Sequence, residues 1–265
     1  MPRIAIDSLD DPRVQMYRQL KSSNLLRDRR LFIAEGTRLV ERLLASDFAT
    51  DSVLIAERRA DEWGPKVPAD VPLYVVPQEL GEQLTGFNFH VGVLACGVRQ
   101  PTRTIDATLP RDAQWQTVVI CPNCDNPENL GAIIRIGSAF GIDALLLGRS
   151  CCDPFSRRVL RVSMGTALRL PIIESADLER DVERLRTEWK LELIATVLDE
   201  TAALLSDATR GPRIGLLFGN EADGLDSRWQ GKCDRRLTIP MRLGTDSLNV
   251  AVAAGIFLHH FSRDH

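Results

Sequence analysis

Short apolar runs recur through the second half of the chain: "TVVIC" from Thr117, "ALLLG" from Ala144, "LELIATV" from Leu191, "IGLLFG" from Ile214 and "RLTIP" from Arg236. Such runs, without polar alternation, predict strands covered on both faces, as in a parallel sheet. Between them lie stretches of helical pattern: Asn126 to Phe140, about Ser156 to Ser163, Asp177 to Trp189, and a last one from Ser247 to Phe261. Strands alternating with helices predict an α/β fold whose ligands sit at the carboxyl ends of the strands. The first half shows a weaker version of this alternation, with helical stretches at about Arg13 to Arg29 and Thr37 to Ser46 and strands at "SVLIA", "PLYVV" and "VGVLACGV". The stretch Arg99 to Asp112 has two prolines and no hydrophobic period, so a boundary is expected there, with domains at 1–103 and 112–265.

Composition narrows the class. The 265 residues carry an ordinary apolar fraction, 44%, enough to bury a core. No run approaches the ~18 apolar residues of a membrane span, and the charged start "MPRIAIDSLDDPR" lacks the apolar centre of a signal peptide. A cytoplasmic location is therefore expected, and the six cysteines are read as reduced thiols. The net charge of −3 argues against gripping nucleic acid by bulk charge, but two local basic clusters exist. One holds Arg18, Lys21, Arg27, Arg29 and Arg30; the other holds Arg149, Arg157, Arg158, Arg161 and Arg169. Each reads either as an RNA-contacting surface or as a solvated helix face.

Three strand-to-loop transitions carry polar residues where such sheets bind ligands. In "CDNPENLGAIIRIGSAFG", Asn126 followed by Pro127 and Glu128 has the pattern of a helix start, with Asn129 in the first turn. Arg135 comes six residues later, about 120° around the helix, among isoleucines, where it needs a partner or a pocket. In "IGLLFGNEADGL" a strand ends at Gly219 and breaks into polar residues that include Glu221, a turn that lets backbone approach a ligand. In "IPMRLGTDSLNVAVAAG" a glycine loop leads into the last helix, whose small residues Ala251, Ala253, Ala254 and Gly255 fit either a subunit contact or packing on its own sheet. Neither GxGxxG nor GxxxxGK[ST] occurs after a strand, which removes the usual dinucleotide and P-loop readings. "CPNC", Cys121 to Cys124, has no second pair at zinc-finger spacing, so no metal is expected.

Taken together, "NPENLGAIIRIGSAFG", "LLFGNEADGL" and "IPMRLGTDSLNVAVAAG" resemble the three motifs of the SpoU family, RNA ribose 2′-O-methyltransferases of the SPOUT superfamily. "RVSMGTALRLP" between them is also similar to that family, and "SLDDPRVQMYRQLKSSNLLRDRRLFIAEG" resembles its substrate-binding domain of ribosomal-protein-like α/β fold. The cysteines of "CPNCDNPEN" depart from the pattern. The resemblance implies a trefoil-knotted C-terminal domain, a homodimer, and S-adenosyl-L-methionine (AdoMet) as cofactor. Carried over by motif, Asn129, Arg135, Glu221, Ser247 and Asn249 form the catalytic cluster, and Thr196, Gly219, Ile239, Met241 and Leu248 line the AdoMet pocket. Arg157, Arg158 and Arg161 are the expected RNA contacts. Arginine is a poor base at neutral pH, so Arg135 is expected to pin a phosphate and stabilise the developing alkoxide. The expected substrate is ribosomal RNA, with transfer RNA, a base-methylating enzyme and a catalytically inactive RNA-binding protein as alternatives.

Overall fold

The computed structural model describes residues 3–18, 20, 30–220, 223–242 and 247–262. The chain forms two compact units, one of residues 1–101 with 155–169, the other of 102–154 with 170–265.

The first unit is built on a five-stranded mixed sheet in the order β1-β4-β3-β5-β2, formed by β1 (Arg3–Ala5), β2 (Leu31–Glu35), β3 (Thr50–Ala56), β4 (Leu73–Val76) and β5 (Val93–Val98). Helix α1 (Thr37–Leu44) buries Leu39, Val40 and Leu43 as one apolar stripe. Helix α2 (Gln78–Thr85) stops at Gly86, whose φ of 74° is a left-handed cap that glycine adopts without strain. The helix expected over Arg13 to Arg29 does not form as one piece. Pro12–Tyr17 is a 3-10 turn that ends in extended backbone at Arg18, because Val14 and Tyr17 are drawn into the core. The Tyr17 hydroxyl lies 3.0 Å from the Ser52 carbonyl oxygen, to which it donates. Lys21, Arg27 and Arg29 lie outside the described residues.

Residues 155–169, placed by sequence in the C-terminal domain, pack instead within the first unit. The Phe155 ring sits 5.5 Å from Phe32 and 5.4 Å from Phe48. Helix α4 (Arg157–Val162; α3 is described below) is capped by Ser156 and buries Val159 and Leu160. The Arg157 guanidinium donates to Glu35 Oε2 at 3.2 and 2.7 Å and lies over the Phe87 ring. Aromatic packing and a partly buried ion pair outweigh proximity in sequence.

The second unit is a seven-stranded sheet, parallel throughout, in the order β10-β12-β9-β11-β6-β7-β8. Its strands are β6 (Gln116–Cys121), β7 (Ala144–Leu147), β8 (Ile172–Glu174), β9 (Glu192–Thr196), β10 (Ala203–Leu204), β11 (Arg213–Leu217) and β12 (Arg235–Thr238). All four residues of β7 are buried, as a continuous apolar run covered on both faces requires. Helices α3 (Pro127–Ala139), α5 (Leu178–Thr187) and α6 (Val250–Phe261) accompany the sheet, and α3 packs against α6. Chain order reverses between β6 and β11, a topological switch point where such sheets open a crevice at their carboxyl ends. No helix among the described residues is long and apolar enough to cross a membrane.

Candidate functional site

The carboxyl ends of β9, β11 and β12 enclose a cavity of about 750 Å³ within the second unit. Thr196, Gly219, Ile239, Met241 and Leu248, all singled out from sequence, line it together with Ser247. Phe218 and Phe257 meet edge to face with ring centres 5.9 Å apart and contribute an apolar wall. The Thr196 hydroxyl proton is committed, since it is donated to the Leu217 carbonyl at 2.8 Å, so toward a ligand this oxygen can only accept.

The loop after β11 owes its shape to two glycines. Gly224 has φ +67°, and a Cβ built on Gly219 would stand 2.0 Å from the Gly224 carbonyl carbon. The crossing is fastened by the Gly224 amide donating to the Asn220 carbonyl at 3.1 Å and the Asp223 amide donating to Asn220 Oδ1 at 2.8 Å. Backbone is thereby presented to the cavity without a side chain in the way. Glu221 lies outside the described residues.

Beside the cavity, the first and third motifs meet through one hydrogen bond. Helix α6 begins at Val250, later than the sequence pattern placed it, because Asn249 is its N-cap and accepts from the amides of Ala251 at 2.9 Å and Val252 at 3.4 Å. Its Nδ2 donates to Asn129 Oδ1 at 2.9 Å. Asn129 is only 4% exposed, and its own Nδ2 finds no hydrogen-bond partner among the described residues. A buried donor left in this state costs about 1–3 kcal/mol, a cost that a ligand oxygen in reach would relieve. Gly244, Thr245 and Asp246 of this motif lie outside the described residues.

Arg135 takes no part in the Asn129–Asn249 hydrogen bond. It is exposed on α3, does not line the cavity, and makes no hydrogen bond or ion pair with any described residue. Asn129, buried at the start of the same helix, and Arg135 thus occupy different faces, as their spacing requires. Sequence reading missed Leu198, Asp199, Glu200, Gln230 and Phe257, all in the lining; position at the carboxyl end of β9 was the available signal for the first three, while Asp223 stood among the polar residues expected in the loop after β11.

The cysteine loops are locked rather than reactive. The Cys121 carbonyl accepts from the Gly148 amide at 2.9 Å and from Cys151 Sγ at 3.1 Å, and the Cys152 amide donates to the Cys124 carbonyl at 2.9 Å. Burial pushes the Cys121 thiol well above its ordinary range, that of Cys151 up to about 11 and that of Cys152 up to about 12. Protonated thiols are weak nucleophiles and weak ligands. Among the described residues no group of His, Cys, Asp and Glu side chains could hold a metal ion.

A parallel α/β sheet with a cavity of cofactor size at its carboxyl edge defines an enzyme domain that binds a small molecule. The chain belongs to the SpoU rRNA Methylase family, whose profile matches residues 116–259. Over 262 residues, 96% of this chain and 90% of the relative, it is 34% identical to an uncharacterized tRNA/rRNA methyltransferase of Mycobacterium tuberculosis. A 23S rRNA guanosine 2′-O-methyltransferase of Bacillus subtilis is 26% identical over 259 residues, 96% of this chain and 98% of that protein. Among solved structures, an AdoMet-bound rRNA methyltransferase from Sinorhizobium meliloti superposes with a TM-score of 0.80 at 25% identity, covering 97% of this chain and 96% of that one.

Proposed function

We propose that this enzyme methylates a ribose 2′-hydroxyl of ribosomal RNA with AdoMet as donor. The observation that carries the reading is the buried Nδ2 of Asn129, without a partner among the described residues, on a side chain held by Asn249, whose chain neighbours Leu248 and Val250 line the cavity that backbone approaches at Gly219. The cavity fits AdoMet: apolar walls at Phe218 and Phe257 suit the adenine, and the Gly219 loop leaves room for close backbone contact. When bound, AdoMet supplies an activated methyl group. The chain's task is then positioning, which can account for ~7–11 kcal/mol of a barrier. In this reading Asn129 donates to the sugar, Ser247, Asn249 and Glu221 help orient it, and Arg135 binds the adjacent phosphate and stabilises the developing alkoxide. The reading includes a trefoil knot in the second unit and action in the cytoplasm, where ribosomal RNA is found. Incubation with labelled AdoMet and unmodified total RNA, followed by mapping of the label, tests it. Label on a base, or on transfer RNA alone, would refute it.

The RNA grip is proposed to lie on α4. Arg157 is half-buried and donates to Glu35 at 2.7 Å, whereas Arg158 and Arg161 are exposed and Arg161 reaches the other Glu35 oxygen only at 3.8 Å, so by exposure the latter two are the better phosphate contacts and Arg157 holds the helix that presents them. Arg158→Gln with Arg161→Gln is expected to weaken RNA binding uniformly across sequences and to lower the slope of log affinity against log salt by ~0.7–0.9 per lost contact. Filter binding at several salt concentrations measures this; lines parallel to wild type would place the RNA elsewhere. Deleting residues 1–103 is not a clean test of the first unit, because Phe155 and Arg157 would lose Phe32, Phe48 and Glu35.

A homodimer is proposed through the outer face of α6. Its small residues are occupied within the unit: Ala251 and Ala254 are buried, and Gly255 faces Ile136 of α3. Val252 and Ile256, one helical turn apart, remain 50% and 39% exposed, and Phe140 is 36% exposed beside His259. Apolar side chains grouped in this way are covered in most soluble proteins. Sedimentation should show a dimer that Val252→Asp with Ile256→Asp converts to monomer. A wild-type monomer at micromolar concentration would end the proposal.

A further inference from the structure

Every charged side chain lining the cavity among the described residues is acidic. Asp199 and Glu200 follow β9, Asp223 follows β11, and no described Lys, Arg or His lines it. Their charges are not equally available. Asp199 accepts from Thr201 and from Arg236 Nη2 at 2.6 Å, contacts that hold its carboxyl below the usual range and match its charge. Glu200 and Asp223 are exposed, and their carboxylates make no hydrogen bond or ion pair with any described residue. Two negative charges without a partner among the described residues thus stand at the cavity, placed there by two different strand ends.

We infer that Glu200 and Asp223 sort the methyl donor from its spent form by charge, favouring entry of AdoMet and departure of S-adenosylhomocysteine. The inference rests on the AdoMet reading above. In the transfer the ribose oxygen bonds the methyl carbon, the carbon–sulfur pair returns to sulfur, and the hydroxyl proton passes to solvent water. A sulfonium of charge +1 thereby becomes a neutral thioether. Donor and product share the adenosine, the ammonium and the carboxylate, so whatever Glu200 and Asp223 do to those groups cancels in the ratio of the two affinities. What survives is the attraction between the two carboxylates and the sulfonium. In a cavity of about 750 Å³ a lining charge lies less than about one Debye length from most bound atoms. With dielectric screening near that of water, each carboxylate is worth about two- to threefold in the ratio and the pair about fivefold. This is modest for binding, but it acts directly on product inhibition, because it disappears at the moment the methyl group leaves.

The test is calorimetry of wild type, Glu200→Gln, Asp223→Asn and the double variant with AdoMet, S-adenosylhomocysteine and sinefungin, which carries an ammonium where AdoMet has its sulfonium. Both substitutions are isosteric and exposed, and thermal melts check that the variants remain folded. The double variant should lose about fivefold of the AdoMet-to-product affinity ratio at low ionic strength, mostly through weaker AdoMet binding, with sinefungin following AdoMet. Raising salt from about 20 mM to about 0.5 M should move the wild-type ratio toward that of the variant, because screening shortens. A ratio that neither the substitutions nor salt changes would overturn the inference while leaving the cofactor assignment intact. Wild-type protein that binds none of the three ligands would overturn the cofactor assignment itself, and this inference with it.

Discussion

Arg135→Ala is expected to leave AdoMet affinity within about twofold of wild type while methyl transfer falls about 100- to 1000-fold, the usual cost of losing one group that stabilises developing charge. The first half of the expectation follows from placement. Arg135 is absent from the cavity lining, and its guanidinium has no hydrogen bond or ion pair to lose among the described residues. The substitution is also mild for the fold, since an exposed helical position accepts alanine at least as well as arginine. A fall in rate could therefore not be assigned to unfolding or to an empty cofactor site. The second half follows from chemistry: a guanidinium stays charged at any working pH and suits a phosphate or an alkoxide far better than it suits a proton. Arg135→Lys should recover part of the rate as a point charge, without the bidentate geometry. Calorimetry with AdoMet and single-turnover transfer to RNA separate binding from chemistry. Transfer within a few-fold of wild type in the alanine variant would take Arg135 out of the mechanism.

What could be read from the sequence depended on how completely each element is buried. β6, β7, β9 and β11 are covered on both faces and were legible as unbroken apolar runs. β1 and β8 are three residues each, too short for a period to show, and β2 follows a basic segment that reads as helix. Local pattern carries no information about lateral order. That Thr196, Gly219 and Ile239 come round one cavity depends on β9 lying between β11 and β12, which only the motif resemblance anticipated. The same limit hid the pairing of Asn129 with Asn249, 120 positions apart, and of Glu35 with Arg157, 122 apart. Asn129 was legible in the first turn of one helix and Asn249 near the start of another; that Asn249 caps its own helix with one atom and restrains Asn129 with another is a tertiary fact.

Gly219→Ala is expected to weaken AdoMet binding about 10- to 100-fold with the chain still folded. The added methyl would stand 2.0 Å from the Gly224 carbonyl carbon, 2.1 Å from its oxygen and 2.2 Å from the Leu225 nitrogen. All three are backbone atoms, so no side-chain rotation relieves the overlap, and the Asn220–Gly224 crossing has to open. Forced rearrangements of this size cost about 1–3 kcal/mol, and about 1.4 kcal/mol is tenfold in affinity. The cost should fall on binding because Gly219, Asn220, Asp223, Gly224 and Leu225 all line the cavity, whereas the buried strand that precedes them, β11, is held on both sides by β6 and β9. Gly231→Ala serves as the control: there the new Cβ meets nothing nearer than the Ser227 carbonyl at 3.5 Å, an ordinary contact outside the lining, and affinity should not change. Isothermal titration with AdoMet, read beside a thermal melt of each variant, gives the comparison. Wild-type affinity in Gly219→Ala would mean that the cofactor is not held against this loop, and the assignment of the cavity would fall with it.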